Sequence, residues 1–292
     1  MVGVGLGEEL QTKEPLIRNI SDTACWAAWY RAHETAREDA VFRDPYAARL
    51  AGERGREIAQ QMKFSTKHSW SWVSRTYLFD HYILEQIGLG ADMVVNLACG
   101  LDTRPYRMNL PQDLQWVEVD LGEVLDYKEA ALKDEKPECR LERVRVDLAQ
   151  VEARRKLFAE LGTRAKTILV ITEGVLSYFT EEEVAELAKE FSAQPAYHAW
   201  ILDLSSPALI KMLNKNMAQL KDAGTPLLFG PAQGTRFFEP FGWKTVEASS
   251  LLHCAGKIKR LPMFMKIWTL LPDTKGRNPK QVWGGVVMLE RI

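Results

Sequence analysis

The segment Met93–Met108, MVVNLACGLDTRPYRM, constrains the fold more than any other part of the chain. An apolar run from Val94 to Leu97 ends in the small residues Ala98, Cys99 and Gly100. Asp102 and Thr103 follow, and Pro105 falls where a first helical turn needs no N–H. Strand, tight turn and helix start, in that order, mark the carboxyl end of a first strand. That is where open α/β sheets bind nucleotide-like cofactors.

The rest of the chain supports such a sheet. Strand-like runs are predicted at 93–97, 115–119, 141–146, 167–171 and 199–202. Helices are predicted at 122–134, 150–161, 180–193 and 206–222, so strands and helices alternate as in a parallel sheet. Lys244–Val246 and Val282–Leu289 read as closing strands. Ahead of the sheet, Asp22 to Gly88 carries apolar residues at spacings of three and four, broken at Asp44-Pro45. The expectation is an N-terminal helical cap over 1–90 and an α/β domain over 91–292. The Gly/Pro-dense stretch 224–242 reads as a long lid or substrate loop.

Composition excludes some partners. Lys and Arg number 38 against 39 Asp and Glu, and this near balance offers no basic excess to a nucleic acid. No apolar run has the length of a membrane span, and the first residues lack the pattern of a signal peptide. Cys25, Cys99, Cys139 and Cys254 are scattered, without zinc-ligand spacing. A cytoplasmic protein acting on a small molecule is expected, with no metal, no obligate nucleic acid and no membrane partner.

The turn discriminates between cofactors. A dinucleotide fingerprint needs three glycines, whereas only Gly100 stands here, and Asp102 would repel pyrophosphate. S-adenosylmethionine has no phosphate and carries a sulfonium and an amino group. Asp120 closes the second strand 20 residues after Gly100, as a ribose-binding carboxylate would. Asp147 and Leu148 close the third strand with a partner for an adenine amino group and a cover for its ring. Glu173 closes the fourth. Each has a plainer use: Asp102, Asp120 and Asp147 also suit helix caps, and Glu173 a solvated strand end.

The stretches NLACGLDTRPYRM, VEVDLGEVLDYK, VDL and ITEGVLSYFTEEEV together resemble the leucine carboxyl methyltransferase family. The bacterial branch of polyketide-type O-methyltransferases is the nearer likeness. RTYLFDHYI from Arg75 and FGW at 241–243 are similar to further family segments. The resemblance implies a Rossmann-like class I methyltransferase with a seven-stranded, mostly parallel sheet, an N-terminal helical cap and S-adenosylmethionine as cofactor. It implies that Arg75 meets the methionine carboxylate and Glu173 the amino end. Ala98 and Gly100 form the cofactor turn with Asp102, braced by Arg104. Asp120 holds the ribose, and Asp147 and Leu148 the adenine. Ala98 stands where the family often has glycine, and Tyr77 replaces a second arginine.

For the acceptor, Trp72 and Tyr178 are the candidate aromatic walls and Arg236 the candidate anion holder, with His68, Trp70 and Ser177 nearby in sequence. Plainer readings make Tyr178 a core aromatic, His68 a packed histidine and Arg236 a solvated loop charge. No residue is assigned as a catalytic base. The expected reaction is methyl transfer to a carboxylate or hydroxyl oxygen of a small apolar or aromatic acceptor. An NAD-type oxidoreductase and a non-catalytic cofactor-binding protein are the competing readings.

Overall fold

The computed structural model describes residues 20–217 and 224–292. Seven strands form one sheet: β1 (Met93–Leu97), β2 (Gln115–Asp120), β3 (Arg140–Arg145), β4 (Ile168–Thr172), β5 (Tyr197–Ser205), β6 (Trp243–Ser250) and β7 (Gly284–Arg291). Their order is β3-β2-β1-β4-β5-β7-β6, and only β7 runs against its neighbours. The chain order reverses at β1, between β2 and β4. The crevice at that switch point is the ligand position of such sheets.

Sequence explains which strands are central. β1 and β4 are buried at every residue, as uninterrupted apolar strands covered on both faces should be. β3, RLERVR, is polar and partly exposed, which suits an edge. Alternation sends Met93, Val95 and Leu97 to one face, where Leu157, Phe158, Leu187 and Phe191 cover them. Those residues come from α7 (Val151–Arg164) and α8 (Glu181–Ser192). Val94, Leu169, Ile171 and Ile201 face the other way, onto Leu78, Phe79, Tyr82 and Ile83 of α4 (Ser69–Gly88). The last helix of the N-terminal segment is therefore a layer of the sheet itself.

The earlier helices α1 (Ile20–Thr35), α2 (Ala47–Gln61) and α3 (Lys63–Lys67) sit above the carboxyl ends of the strands. Ala28, Leu50 and Ala51 pack with Leu101 and Tyr106, the latter on α5 (Arg104–Arg107), and with Leu132 after α6 (Gly122–Ala131). α8 begins with a capping box: Thr180 accepts from the Glu183 N–H, and Glu183 accepts in return from the Thr180 N–H.

Element boundaries differ from the expected ones mainly after β5. α9 spans Pro207–Asn216, and the expected continuation to 222 runs into residues outside the described set. The expected loop 224–242 is irregular only in its first part. Gly234–Phe241 forms a 3-10 segment whose Phe237 and Phe238 join Phe229 in the core. β6 and β7 are longer than expected or shifted. Between them lie α10 (Leu251–Lys257) and a further 3-10 segment, Met263–Leu270, neither legible in the pattern.

Candidate active site

The turn after β1 is held by its own chemistry. Ala98 and Gly100 both take left-handed backbone, with φ of 48° and 50°. A Cβ on Gly100 would stand 3.2 Å from the Ala24 Cβ, so α1 closes directly over the turn. Alanine at 98 is thus a conformational cost, about 1–2 kcal/mol for an L-residue in that region, rather than a question of size.

Asp102 Oδ1 accepts the Arg104 N–H at 2.9 Å, and its Oδ2 accepts from Asn96 Nδ2 at 2.8 Å and Arg104 Nη1 at 2.9 Å. The same guanidinium donates to Asp80 at 2.6 Å and lies 2.8 Å from Glu173. Arg107 also pairs with Asp80, at 2.7 Å. Arg104 is 2% exposed, so β1, β4 and α4 are tied at one buried cation. Burial pushes the Asp102 carboxyl up. Arg104, Lys128 and Arg107 outweigh that and hold it far below the ordinary range.

Around this brace lies a cavity of about 800 Å³. On the sheet side it is lined by Arg75, Ala98, Gly100, Asp102, Asp120 and Glu173, together with Asp203. Arg75 donates to Glu173 at 3.1 Å and stands 3.5 Å from Asp203, at the end of β5. Asp203 also accepts the Gly174 N–H at 2.6 Å. Burial raises its carboxyl, against the pull of Arg75 and that N–H. Asp120 is raised by burial too, opposed by the N–H groups of Gly100 and Leu121, which it accepts at 2.6 and 2.7 Å. Glu118, two residues before it, turns instead to buried Lys128 and to Arg143.

The structure thus brings six of the eight expected cofactor residues to one wall. Asp147 and Leu148 do not line it. Asp147 is exposed and accepts the Ala149 N–H at 2.9 Å, the turn role its position also allowed, while Leu148 is in the core. Asp203 was missed because LDLSS at the end of β5 matched no motif. Its signal was positional: it is a further carboxylate at the end of a strand beside the switch point.

The rest of the lining is rich in aromatic side chains. Trp72 donates to Ser65 Oγ at 2.9 Å, stacks on Tyr30 at 5.2 Å and carries the Arg75 guanidinium 4.7 Å from its ring. Trp26, Phe64, His68, Trp70 and Tyr178 also line the cavity. The Tyr178 hydroxyl is pushed up by burial, against Arg75 and a hydrogen bond with Thr23. Ser177 accepts the Leu228 N–H through its carbonyl at 2.6 Å, which ties the 224–233 stretch to the exit of β4. Arg236 is exposed on the 3-10 segment and lines no part of the cavity among the described residues. His253 on α10, unanticipated, also reaches the lining, with Nε2 2.9 Å from the Leu271 carbonyl oxygen. Among the described residues no His/Cys/Asp/Glu group is arranged to hold a metal ion.

These residues fit a phosphate-free cation. The Gly100 N–H that a phosphate would need is already given to Asp120. Each anionic charge brought to roughly 5 Å from one of these carboxylates would cost about 3 kcal/mol at an effective dielectric constant of about 20. A cation gains the same amount. Sheet order and switch-point cavity are those of the class I methyltransferase fold.

Comparison with known proteins agrees. The sequence profile of the leucine carboxyl methyltransferase family matches residues 24–192, and the chain belongs to that family. A Frankia alni protein provisionally named an S-adenosyl-L-methionine-dependent methyltransferase is 36% identical over 172 residues, 56% of this chain and 61% of its own length. A Streptomyces avermitilis protein provisionally named likewise is 31% identical over 234 residues, 76% of this chain and 82% of its own. In fold, the chain is similar to a DUF574 family protein of Streptomyces avermitilis, with TM-score 0.56, 11% identity and coverage of 91% of this chain and 97% of that one.

Proposed function

We propose that this chain transfers a methyl group from S-adenosylmethionine to a carboxylate or hydroxyl oxygen of a small apolar or aromatic acceptor. The observation that carries this reading is a single cavity lined by strand-end carboxylates, by Arg75 of α4 and by the aromatic side chains of Trp26, Trp72 and Tyr178. When bound, the cofactor supplies an electrophilic methyl group on a sulfonium.

The chain's own residues then bind, align and dry the site. Asp120 would accept from the ribose hydroxyls, Arg75 would receive the methionine carboxylate, and Glu173 and Asp203 its amino end. Arg104 would keep Glu173 pointed at the cavity by holding its other oxygen. Trp26, Trp72 and Tyr178 exclude water and set the acceptor's plane. Orientation of this kind supplies on the order of 7–11 kcal/mol of a barrier. A carboxylate acceptor is ionised near neutral pH and needs no base.

Calorimetry with S-adenosylmethionine, followed by mass spectrometry over a panel of aromatic acids and phenols, tests the reading. The expected result is cofactor binding and a mass gain of one methyl group on an oxygen. Cofactor binding with no turnover on any acceptor, or transfer to nitrogen or carbon alone, would overturn it.

A further inference from the structure

The 3-10 segment Met263–Leu270 has no buried residue. Met263, Phe264, Ile267, Trp268, Leu270 and Leu271 are all exposed, Phe264 by 79% and Leu270 by 81%. Elsewhere among the described residues, exposed large apolar side chains are scattered along the chain. Single exposed apolar residues are ordinary, but six within nine positions mark an interaction surface.

The charge around this patch is equally uneven. Residues 257–280 carry Lys257, Lys259, Arg260, Lys266, Lys275, Arg277 and Lys280 against one acid, Asp273. The whole chain has a net charge of −1, so this stretch at +6 sits on a remainder at −7. Arg260 is turned inward to Glu34 and Asp39. Asp273 is occupied by the Trp283 indole, at 2.8 Å, and by the N–H groups of Ser250 and Lys275. Lys257, Lys259, Lys266, Lys275, Arg277 and Lys280 are exposed, and of these Lys275 lies 4.0 Å from Glu247 of β6.

We infer that the 257–280 face is a docking surface for the headgroup region of an anionic lipid bilayer. Exposed aromatic and aliphatic side chains interleaved with lysines are the chemistry of interfacial binding: the former enter the acyl boundary, and the latter meet anionic headgroups. A protein partner of acidic surface would not call for four exposed aliphatic side chains, Met263, Ile267, Leu270 and Leu271, in one short segment. This surface lies on the membrane, not across it, and no described helix is long and apolar enough to span one. Trp268 and Leu271 are exposed and also line the cavity, so docking sets the cavity mouth against the bilayer. The proposal does not depend on which atom is methylated.

Co-sedimentation of the full chain with vesicles of phosphatidylcholine alone, and of phosphatidylcholine with phosphatidylglycerol, is the test. Binding is expected on the anionic vesicles, weakening as salt rises. Lys259→Glu with Lys266→Glu should lower partitioning at least tenfold, since each basic residue near the surface is worth roughly fivefold. Met263→Glu with Phe264→Glu should lower it as far while leaving the melting temperature unchanged. No binding to either vesicle, binding indifferent to both double variants, or a patch-dependent dimer in ultracentrifugation without vesicle binding would each overturn the proposal.

Discussion

Replacing Arg104 by methionine isolates the brace beneath the candidate site. Its guanidinium reaches Asp80 at 2.6 Å, Glu173 at 2.8 Å and Asp102 at 2.9 Å. Without it, Asp80 keeps Arg107 at 2.7 Å and Glu173 keeps Arg75 at 3.1 Å. Asp102 keeps only hydrogen bonds from Asn96 and the backbone of residue 104. One buried carboxylate is thereby stripped of its ion pair, which costs about 3–5 kcal/mol. The melting temperature should drop by on the order of 10 °C.

The pH dependence should weaken as well. In the native chain, burial raises Asp80 and Asp102, but the arginines outweigh it and leave both carboxyls lowered. Their stabilisation is present above the unfolded carboxylate value of about 4 and is lost as pH falls through the folded values. In the variant the Arg104 side chain no longer lowers Asp102, whereas Lys128, Arg107 and the backbone N–H of residue 104 still oppose burial. Less of the stabilisation above the unfolded value remains to be lost, so thermal melts should show a shallower loss of stability on acidification in the variant than in the native chain. A loss below about 1 kcal/mol, the worth of a surface pair, or parallel pH curves for the two proteins would refute the argument.

The remaining predictions concern the cavity wall. Asp120→Asn should weaken S-adenosylmethionine binding at least tenfold in calorimetry, with the fold intact by circular dichroism. Affinity for the cofactor in the native chain should fall on acidification earlier than an ordinary carboxylate would dictate. Burial holds Asp120 and Asp203 raised, and their protonated forms attract no cation; flat affinity down to about pH 4 would contradict this. Ala98→Gly should be neutral or stabilising in thermal melts by up to about 1 kcal/mol, because left-handed backbone suits glycine.

The parallel half of the sheet was readable because its signals are local. MVVNL and ILVIT are short apolar runs, and strands covered on both faces need nothing else. The turn at Ala98–Gly100 and the strand-end carboxylates Asp120 and Glu173 were read from position along those strands, whereas Arg104 as a brace came only with the family resemblance. Asp80 and Asp203 escaped because their roles exist only across elements: one joins α4 to the turn, and the other meets Arg75 from β5. The 3-10 segments escaped for a different reason. Their side chains follow neither the strand nor the helix period, so FFEPF and MFMKIWTL carry no pattern to read. Phe237 and Phe238 are buried by the sheet's antiparallel end, which the sequence defines only after β7 is placed between β5 and β6.

Net charge was the least informative quantity, for a physical reason. Charges on the surface feel one another over roughly 8 Å at physiological salt, so a chain-wide sum averages regions that do not interact. Here a total of −1 combines a cavity wall bearing Asp102, Asp120, Glu173 and Asp203 with a strongly basic stretch at 257–280. The two regions meet at one cavity, because Trp268 and Leu271 of the basic stretch share its lining with the carboxylates. Their signs are suited to different ligands. The acidic wall favours a cationic cofactor and opposes a second anion beside it, so an anionic acceptor must hold its charge away from Glu173 and Asp203 and can gain only from longer-range attraction by the exposed basic residues of 257–280, none of which lines the cavity. Low salt should then lower KM for a carboxylate acceptor and leave KM for a neutral phenol unchanged. Equal salt dependence for the two would place the basic residues of 257–280 outside the acceptor's path.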